Sequence, residues 1–379
     1  MSNNTASARR VALGAAIVAI AAVLAGCTVP QTTTPIGECT PLVAAAPVMG
    51  AGGGGLPLSS TVAPSDTSTS IVIDGTGSAQ AECTGTPVVE HRNVVFAERT
   101  LDDGSTYLIR MDLTVPLGGA ADVPVVVYVP GGGFVVSDRD NSLGNRSYLI
   151  EHGIAVAAIE YRTIGDGATV PDGVADVKSA VRYLRANAEQ YGLDADEIGL
   201  WGESAGAYLV TMAGVTEGEP QFEVGDNLDV SSEVQAVVEQ FGASDLTRIA
   251  EDFDQETKDY YRDTPDNFTA TYVLGAGTGS TLFDEPEAAA AADPATHVDG
   301  DEPPFLHFHG TADTLISPTQ TLLIHDALRA AGVPSTRYLV EGAGHGDMAF
   351  LGDPESGRVW STVGVLDPLV AFFVDQLGS

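Results

Sequence analysis

The sequence predicts an α/β fold in which a mostly parallel central sheet is covered by helices on both faces. Three observations predict it. Short runs of continuous apolar residues recur along the chain, among them VPVVVYV (123–129), GIAVAAIEY (153–161) and EIGLW (197–201). A strand without polar alternation is buried on both sides, as a parallel sheet between two helix layers requires. Between these runs lie segments whose apolar residues return at helical spacing, so that strands and helices alternate. With 379 residues and 44% apolar content the chain can bury the core of one such domain, which absorbs nearly all of its length.

At the front, MSNNTASARR carries Arg9 and Arg10, and VALGAAIVAIAAVLAG follows without a charge. A positive end, a short apolar run and small residues before a cut site make an export signal over 1–26. The run is short for a full membrane span. Its ending, LAGC, resembles a bacterial lipoprotein box. That resemblance implies cleavage before Cys27, lipid on the Cys27 thiol and amine, and a protein anchored to the cell membrane and facing outward. An ordinary secretory signal and an uncleaved anchor helix are the alternatives, and a twin-arginine route through Arg9-Arg10 stays open.

Residues 27–85 read as a spacer. TVPQTTTP and AAPVMGAGGGGLPLSSTVAPSDTSTS are dominated by Pro, Gly, Ser and Thr, a composition that cannot repay the entropy of ordering a core. TSIVID near residue 72 is compatible with a short strand. Cys39 and Cys83, the cysteines left after Cys27, allow a single pairing, and an exported location permits a disulfide. Neither sits in a C-x-x-C pair or beside a histidine cluster, which disfavours a metal or redox role. A Cys39–Cys83 staple would loop part of the spacer back onto the domain.

The domain proper spans 86–379. VVEHRNVVFAE and STYLIRMDLTVP form two strands around the turn TLDDG. The runs at 123–129 and 153–161 are central strands. Residues 172–191 place Val174, Val177, Val181, Leu184 and Tyr191 on one helical stripe. Further core strands are expected at 197–201, 234–241, 304–310 and 335–342. SPTQTLLIHDALRAAG reads as a helix closed by Gly332, and VWSTVGVLDPLVAFFVDQL as a last helix with a kink at Pro368. Residues 211–230 are acidic and polar, and no large hydrophobic lid is evident.

Four signals fall at the ends of these strands. Gly202-Glu203-Ser204-Ala205-Gly206 matches G-x-S-x-G. Alone it is weak, since chance yields it in roughly one chain in three of this composition. It directly follows EIGLW and precedes the helix-like AYLVTMAG, the strand–turn–helix setting in which side chains at 202 and 206 would clash and the Ser204 hydroxyl is exposed near a helix N-terminus. Gly131-Gly132-Gly133-Phe134 ends the strand at 123–129. Its glycines would let the N–H groups of Gly132 and Gly133, with that of Ala205, face an oxyanion; the alternative is a plain flexible loop. Asp313 follows the strand PFLHFHG and could orient a histidine; as a bland alternative it caps a turn. Asp347 and Asp367 compete with it, but neither follows a core strand so directly. His345 lies between Gly344 and Gly346 just after RYLVEG, in a thin loop able to bring an imidazole over Ser204; otherwise it is a surface histidine. His307 and His309 form an H-x-H pair with no third metal ligand nearby.

The order Ser204, Asp313, His345, each after a different strand, is that of α/β-hydrolases. From about residue 88 to 379 the chain resembles their carboxylesterase and lipase branch, which includes hormone-sensitive-lipase-like and acetylxylan or feruloyl esterase-like members. VVYVPGGGFV, AIEYR, EIGLWGESAG, FGASDL, DEPPFLHFHGTADTLISPTQ and YLVEGAGHG carry the resemblance. It implies an α/β-hydrolase fold, a catalytic triad of Ser204, Asp313 and His345, an oxyanion loop at Gly131–Gly133, and hydrolysis of carboxylic esters without a metal or organic cofactor. Pro130 stands where the family usually has a histidine that braces the loop, and Ala207 where many members have glycine.

The implied substrates are small or soluble esters, free or borne on a polysaccharide. A peptidase or amidase using the same triad and a non-catalytic surface protein with this fold are the rival readings. Fifty-two acidic residues against 17 basic give a formal charge of -35, which argues against nucleic-acid binding and against electrostatic capture by anionic lipid. Oligomeric state is not readable from the sequence.

Overall fold

A computed structural model describes residues 31–39, 57–75, 77–101, 103–118, 122–346 and 355–378. The export signal and Cys27 lie outside these residues, as does Asp347.

The chain opens with β1 (Gln31–Thr33), β2 (Ile36–Glu38), β3 (Ile71–Asp74) and β4 (Glu82–Thr84), then a long hairpin of β5 (Pro87–Thr100) and β6 (Thr106–Pro116). Alternation follows: β7 (Val123–Val129), α1 (Leu143–Glu151), β8 (Ala155–Ile159), α2 (Val170–Ala186), α3 (Ala188–Tyr191), β9 (Leu193–Glu203), α4 (Ala205–Val215) and β10 (Ala236–Gln240). Three short helices come next, α5 (Gln255–Asp263), α6 (Phe268–Leu274) and α7 (Pro286–Ala291). The chain closes with β11 (Phe305–Gly310), α8 (Thr319–Ala331), β12 (Ser335–Glu341) and α9 (Val363–Gln376).

Ten strands form one sheet in the order β1-β5-β6-β8-β7-β9-β10-β11-β12-β3. β1, β5 and β6 pair antiparallel, and every neighbour from β8 onward is parallel. The expected mostly parallel α/β sheet is therefore present. All seven residues of β7 are buried, and successive residues feed two cores. Val125, Val127 and Val129 join α2 and α4 on one face; Val126 and Tyr128 join α1 and α9 on the other. α2 begins two residues before the expected start because Pro171 fits a first turn and Asp172 accepts from the Thr169 N–H and hydroxyl, both at 3.0 Å. α9 continues through Pro368. After β8 the connections switch to the other side of β7, so the carboxyl ends of β7 and β9 border a crevice where ligands bind in such sheets.

Two regions differ from the expectation. The described parts of 27–85 are not a free spacer. β1 pairs with β5, β3 adds a parallel strand beside β12, and β2 and β4 form a ribbon closed by a Cys39–Cys83 disulfide with Cα atoms 5.4 Å apart. Glu151, at the end of α1, accepts from the Thr34 hydroxyl and from the N–H groups of Thr84 and Gly85. Backbone pairing and a carboxylate clamp need no apolar periodicity, so composition concealed them. Second, α5 to α7 occupy a stretch for which the sequence pattern predicts no element. They pack over the crevice: the Tyr208 hydroxyl donates to the Ala292 carbonyl, and Tyr272 of α6 stacks on Phe134 with ring centroids 4.1 Å apart.

Candidate active site

Ser204 occupies the turn between β9 and α4 at φ 53°, ψ -118°, a conformation that costs about 1–3 kcal/mol for a non-glycine residue and persists only where its surroundings enforce it. They do so here. Its N–H donates to the Gln240 carbonyl at 3.0 Å. A Cβ on Gly202 would lie 2.3 Å from the Gly206 carbonyl oxygen, and one on Gly206 would lie 2.1 Å from that of Val129. Both glycines are thus required by close approach, and Ser204 is the cap residue directly before α4, at the positive end of that helix.

The structure brings the three widely separated polar residues together. His345 Nε2 lies 2.8 Å from Ser204 Oγ, and His345 Nδ1 lies 2.7 Å from Asp313 Oδ2. Asp313 is fully buried. Its Oδ1 accepts from the N–H groups of Leu315 and Ile316, each at 2.9 Å. Burial raises its pKa, but the charge of His345 and hydrogen bonds from His309 and His345 outweigh burial and hold the carboxyl well below the usual carboxylate range. Of its competitors, Asp367 on α9 accepts from the Tyr148 hydroxyl of α1, away from this cluster.

The glycine loop stands against the serine. A Cβ on Gly131 would come 3.1 Å from Ser204 Cβ. Gly132 (φ 144°) and Gly133 (φ 59°) adopt backbone forbidden to most side chains, and the Gly132 carbonyl accepts from Val135 and Val136. The Pro130 carbonyl accepts from the buried Tyr161 hydroxyl at 3.2 Å. Glu203 on the other side of the elbow accepts from Tyr128 and Ser142, tying the elbow to the loop ahead of α1.

Several neighbours escaped the sequence reading. Phe241 lies at φ 44°, with its ring 5.1 Å from His345 and 4.6 Å from Trp360. A Cβ on Gly346 would sit 2.9 Å from that ring, so this glycine serves close packing. Phe134 packs between Tyr208 and Tyr272. Phe241 lies in a loop, where an aromatic residue carries no periodic signal, and the rings that hold Phe134 lie on two other elements. The H-x-H pair divides: His307 Nδ1 meets Glu239 and Nε2 meets Ser335, while His309 Nε2 meets the Ile316 carbonyl and Asp313. Among the described residues no group of three or more His, Cys, Asp or Glu is placed to hold a metal ion.

Comparison with known proteins follows the same lines. The BD-FAE family model matches residues 111–328, more than half of the chain. Esterase LipC of Mycobacterium tuberculosis (strain ATCC 25618 / H37Rv) is 32% identical over 269 residues, covering 68% of this chain and 61% of its own. A probable isoprenylcysteine alpha-carbonyl methylesterase, ICMEL1 of Arabidopsis thaliana, is 28% identical over 267 residues, covering 70% and 54%. The chain spans a little over half the length of these curated relatives. Among solved structures it is similar in fold to a truncated carbohydrate esterase from gut microbiota, with TM-score 0.61, 24% identity, and coverage of 77% of this chain and 97% of that one.

Proposed function

The chain belongs to the BD-FAE family, and from that premise we propose that it is an exported serine carboxylesterase acting on small or soluble carboxylic esters, free or carried on a polysaccharide. The observation that carries this reading is the unbroken hydrogen-bonded line from Ser204 through His345 to the buried Asp313. In the proposed mechanism His345 Nε2 takes the Ser204 proton as Oγ attacks the ester carbonyl. Asp313 holds the ring by Nδ1 and stabilises its positive form. The N–H groups of Gly132, Gly133 and Ala205 receive the oxyanion. His345 then protonates the leaving alcohol, and a water activated by the same nitrogen releases the acid.

At Cys27 the proposal includes a lipid anchor outside the cell membrane. Gln31 already pairs with Val89, and three residues separate it from Cys27. Fully extended, that tether reaches about 14 Å, so the anchored domain would work close to the bilayer.

The test is a series of p-nitrophenyl esters from acetate to dodecanoate, run beside the matching anilides with Ser204→Ala as control. Cleavage of the short esters, lost in Ser204→Ala, is expected. Preferential anilide cleavage would favour an amidase, and equal rates in both proteins would remove Ser204 from the chemistry.

A further inference from the structure

We propose that His309 is a positioning residue of this site: it holds the Asp313 carboxylate and sets how strongly that carboxylate draws on His345. The inference rests on the triad reading above. His309 is fully buried on β11, one residue before that strand ends. Its Nε2 lies 3.0 Å from the Ile316 carbonyl oxygen and 3.2 Å from Asp313 Oδ2. A carbonyl only accepts, so Nε2 carries the ring hydrogen and shares it with the carboxylate. Nδ1 is buried with no hydrogen-bond partner. A buried imidazole that meets a protein partner through only one of its two nitrogens is a poor structural polar group; its placement is accounted for by the atom it reaches.

That atom is the oxygen that receives His345. His345 donates to Oδ2 and His309 Nε2 stands 3.2 Å from the same oxygen, while the Leu315 and Ile316 N–H groups occupy Oδ1. The titratable groups facing Asp313 are His345 from the loop after β12, His309 from β11, and Tyr261 from α5, whose phenol is held neutral by burial, then by Tyr260 and by Asp313 itself. The N–H of His309 draws charge from Oδ2 and moderates its pull on the His345 Nδ1–H. Removing this donor leaves a stronger base at Oδ2, stabilises the His345 imidazolium, and raises the pH at which His345 becomes a competent base.

The experiment is the pH profile of kcat/KM for p-nitrophenyl acetate in wild type, His309→Phe, His309→Leu and His309→Gln. Both apolar variants remove the donor, and His309→Leu serves if the phenyl ring is not accommodated. The midpoint of the acid limb is expected to rise by about half to one pH unit, and His309→Gln, whose amide N–H can reach the same oxygen, is expected to bring it back. The low-field NMR resonance of the His345 Nδ1–H should shift and return in the same pattern, which reads the contact without turnover. Lower turnover with midpoint and resonance both unmoved would make His309 a packing residue only and overturn the proposal. Undiminished activity in Ser204→Ala would instead remove the triad reading, a separate failure.

Discussion

Two places among the described residues hold a carboxylate, an imidazole and a serine hydroxyl in line. Asp313, His345 and Ser204 are linked at 2.7 and 2.8 Å, and Glu239, His307 and Ser335 at 2.7 and 3.1 Å. The second line differs in position and in polarity. Ser204 stands on a strained turn at the carboxyl end of β9, whereas Ser335 is the first residue of β12, at the opposite end of the parallel strands. Ser335 Oγ also lies 2.7 Å from His325 Nδ1, and His325 Nε2 meets the Thr69 carbonyl. The carbonyl only accepts, so Nε2 carries a hydrogen. Burial, and then the charge of His307, push His325 down to about 4, so near neutral pH its Nδ1 is a lone pair that takes the Ser335 hydroxyl hydrogen. Ser335 therefore accepts from His307, while Ser204 is free to donate to His345. The same three groups in line build an anchor in one place and a candidate nucleophile in the other. The direction of one hydrogen and the presence of a glycine loop separate them.

The largest expected effect breaks the two apart. Ser204→Ala should reduce esterase turnover at least about a thousandfold, while Ser335→Ala should leave kcat/KM within about twofold and lower unfolding stability by about 1 kcal/mol; ester assays paired with urea titrations check both. A smaller effect tests the loop. A methyl at Gly132 would lie 2.1 Å from the Val136 carbonyl oxygen, so Gly132→Ala should displace the oxyanion donors and cost about a hundredfold in kcat, measured with the same soluble ester. The smallest effect concerns pH. His325 is depressed from 6.5 to about 4 in the folded protein, so its contribution to stability is complete above 6.5 and fades as pH falls toward 4, where the unfolded chain takes up the proton first. Urea midpoints should decline over that range, and less steeply in His325→Asn. Equal slopes would mean that the relay stores no proton preference.

The contrast also explains what could be read in the sequence. VPVVVYV was legible as a central strand because burial on both faces leaves no polar alternation. Ser204 was legible because the turn needs glycine on both sides of it, and His345 and Asp313 because each directly follows a core strand. β1 and β3 were not, since their pairing with β5 and β12 is a long-range backbone property invisible in a Ser/Thr/Pro-rich segment. Phe241 and Tyr272 are not legible for a related reason: what matters is the ring each touches, and those partners lie on other elements; His309 shows in the sequence as half of an H-x-H pair, but its approach to Asp313 four residues on depends on the turn after β11. Glu239 and Ser335 look no different in sequence from surface residues of a strand.

The most direct test of the central claim is covalent. Incubation of the full chain with a soluble organophosphonate, followed by intact mass and peptide mapping, should find one adduct per chain, on Ser204, and none in Ser204→Ala. Modification of Ser335 or of another residue in its place, or equal labelling of Ser204→Ala, would contradict the account.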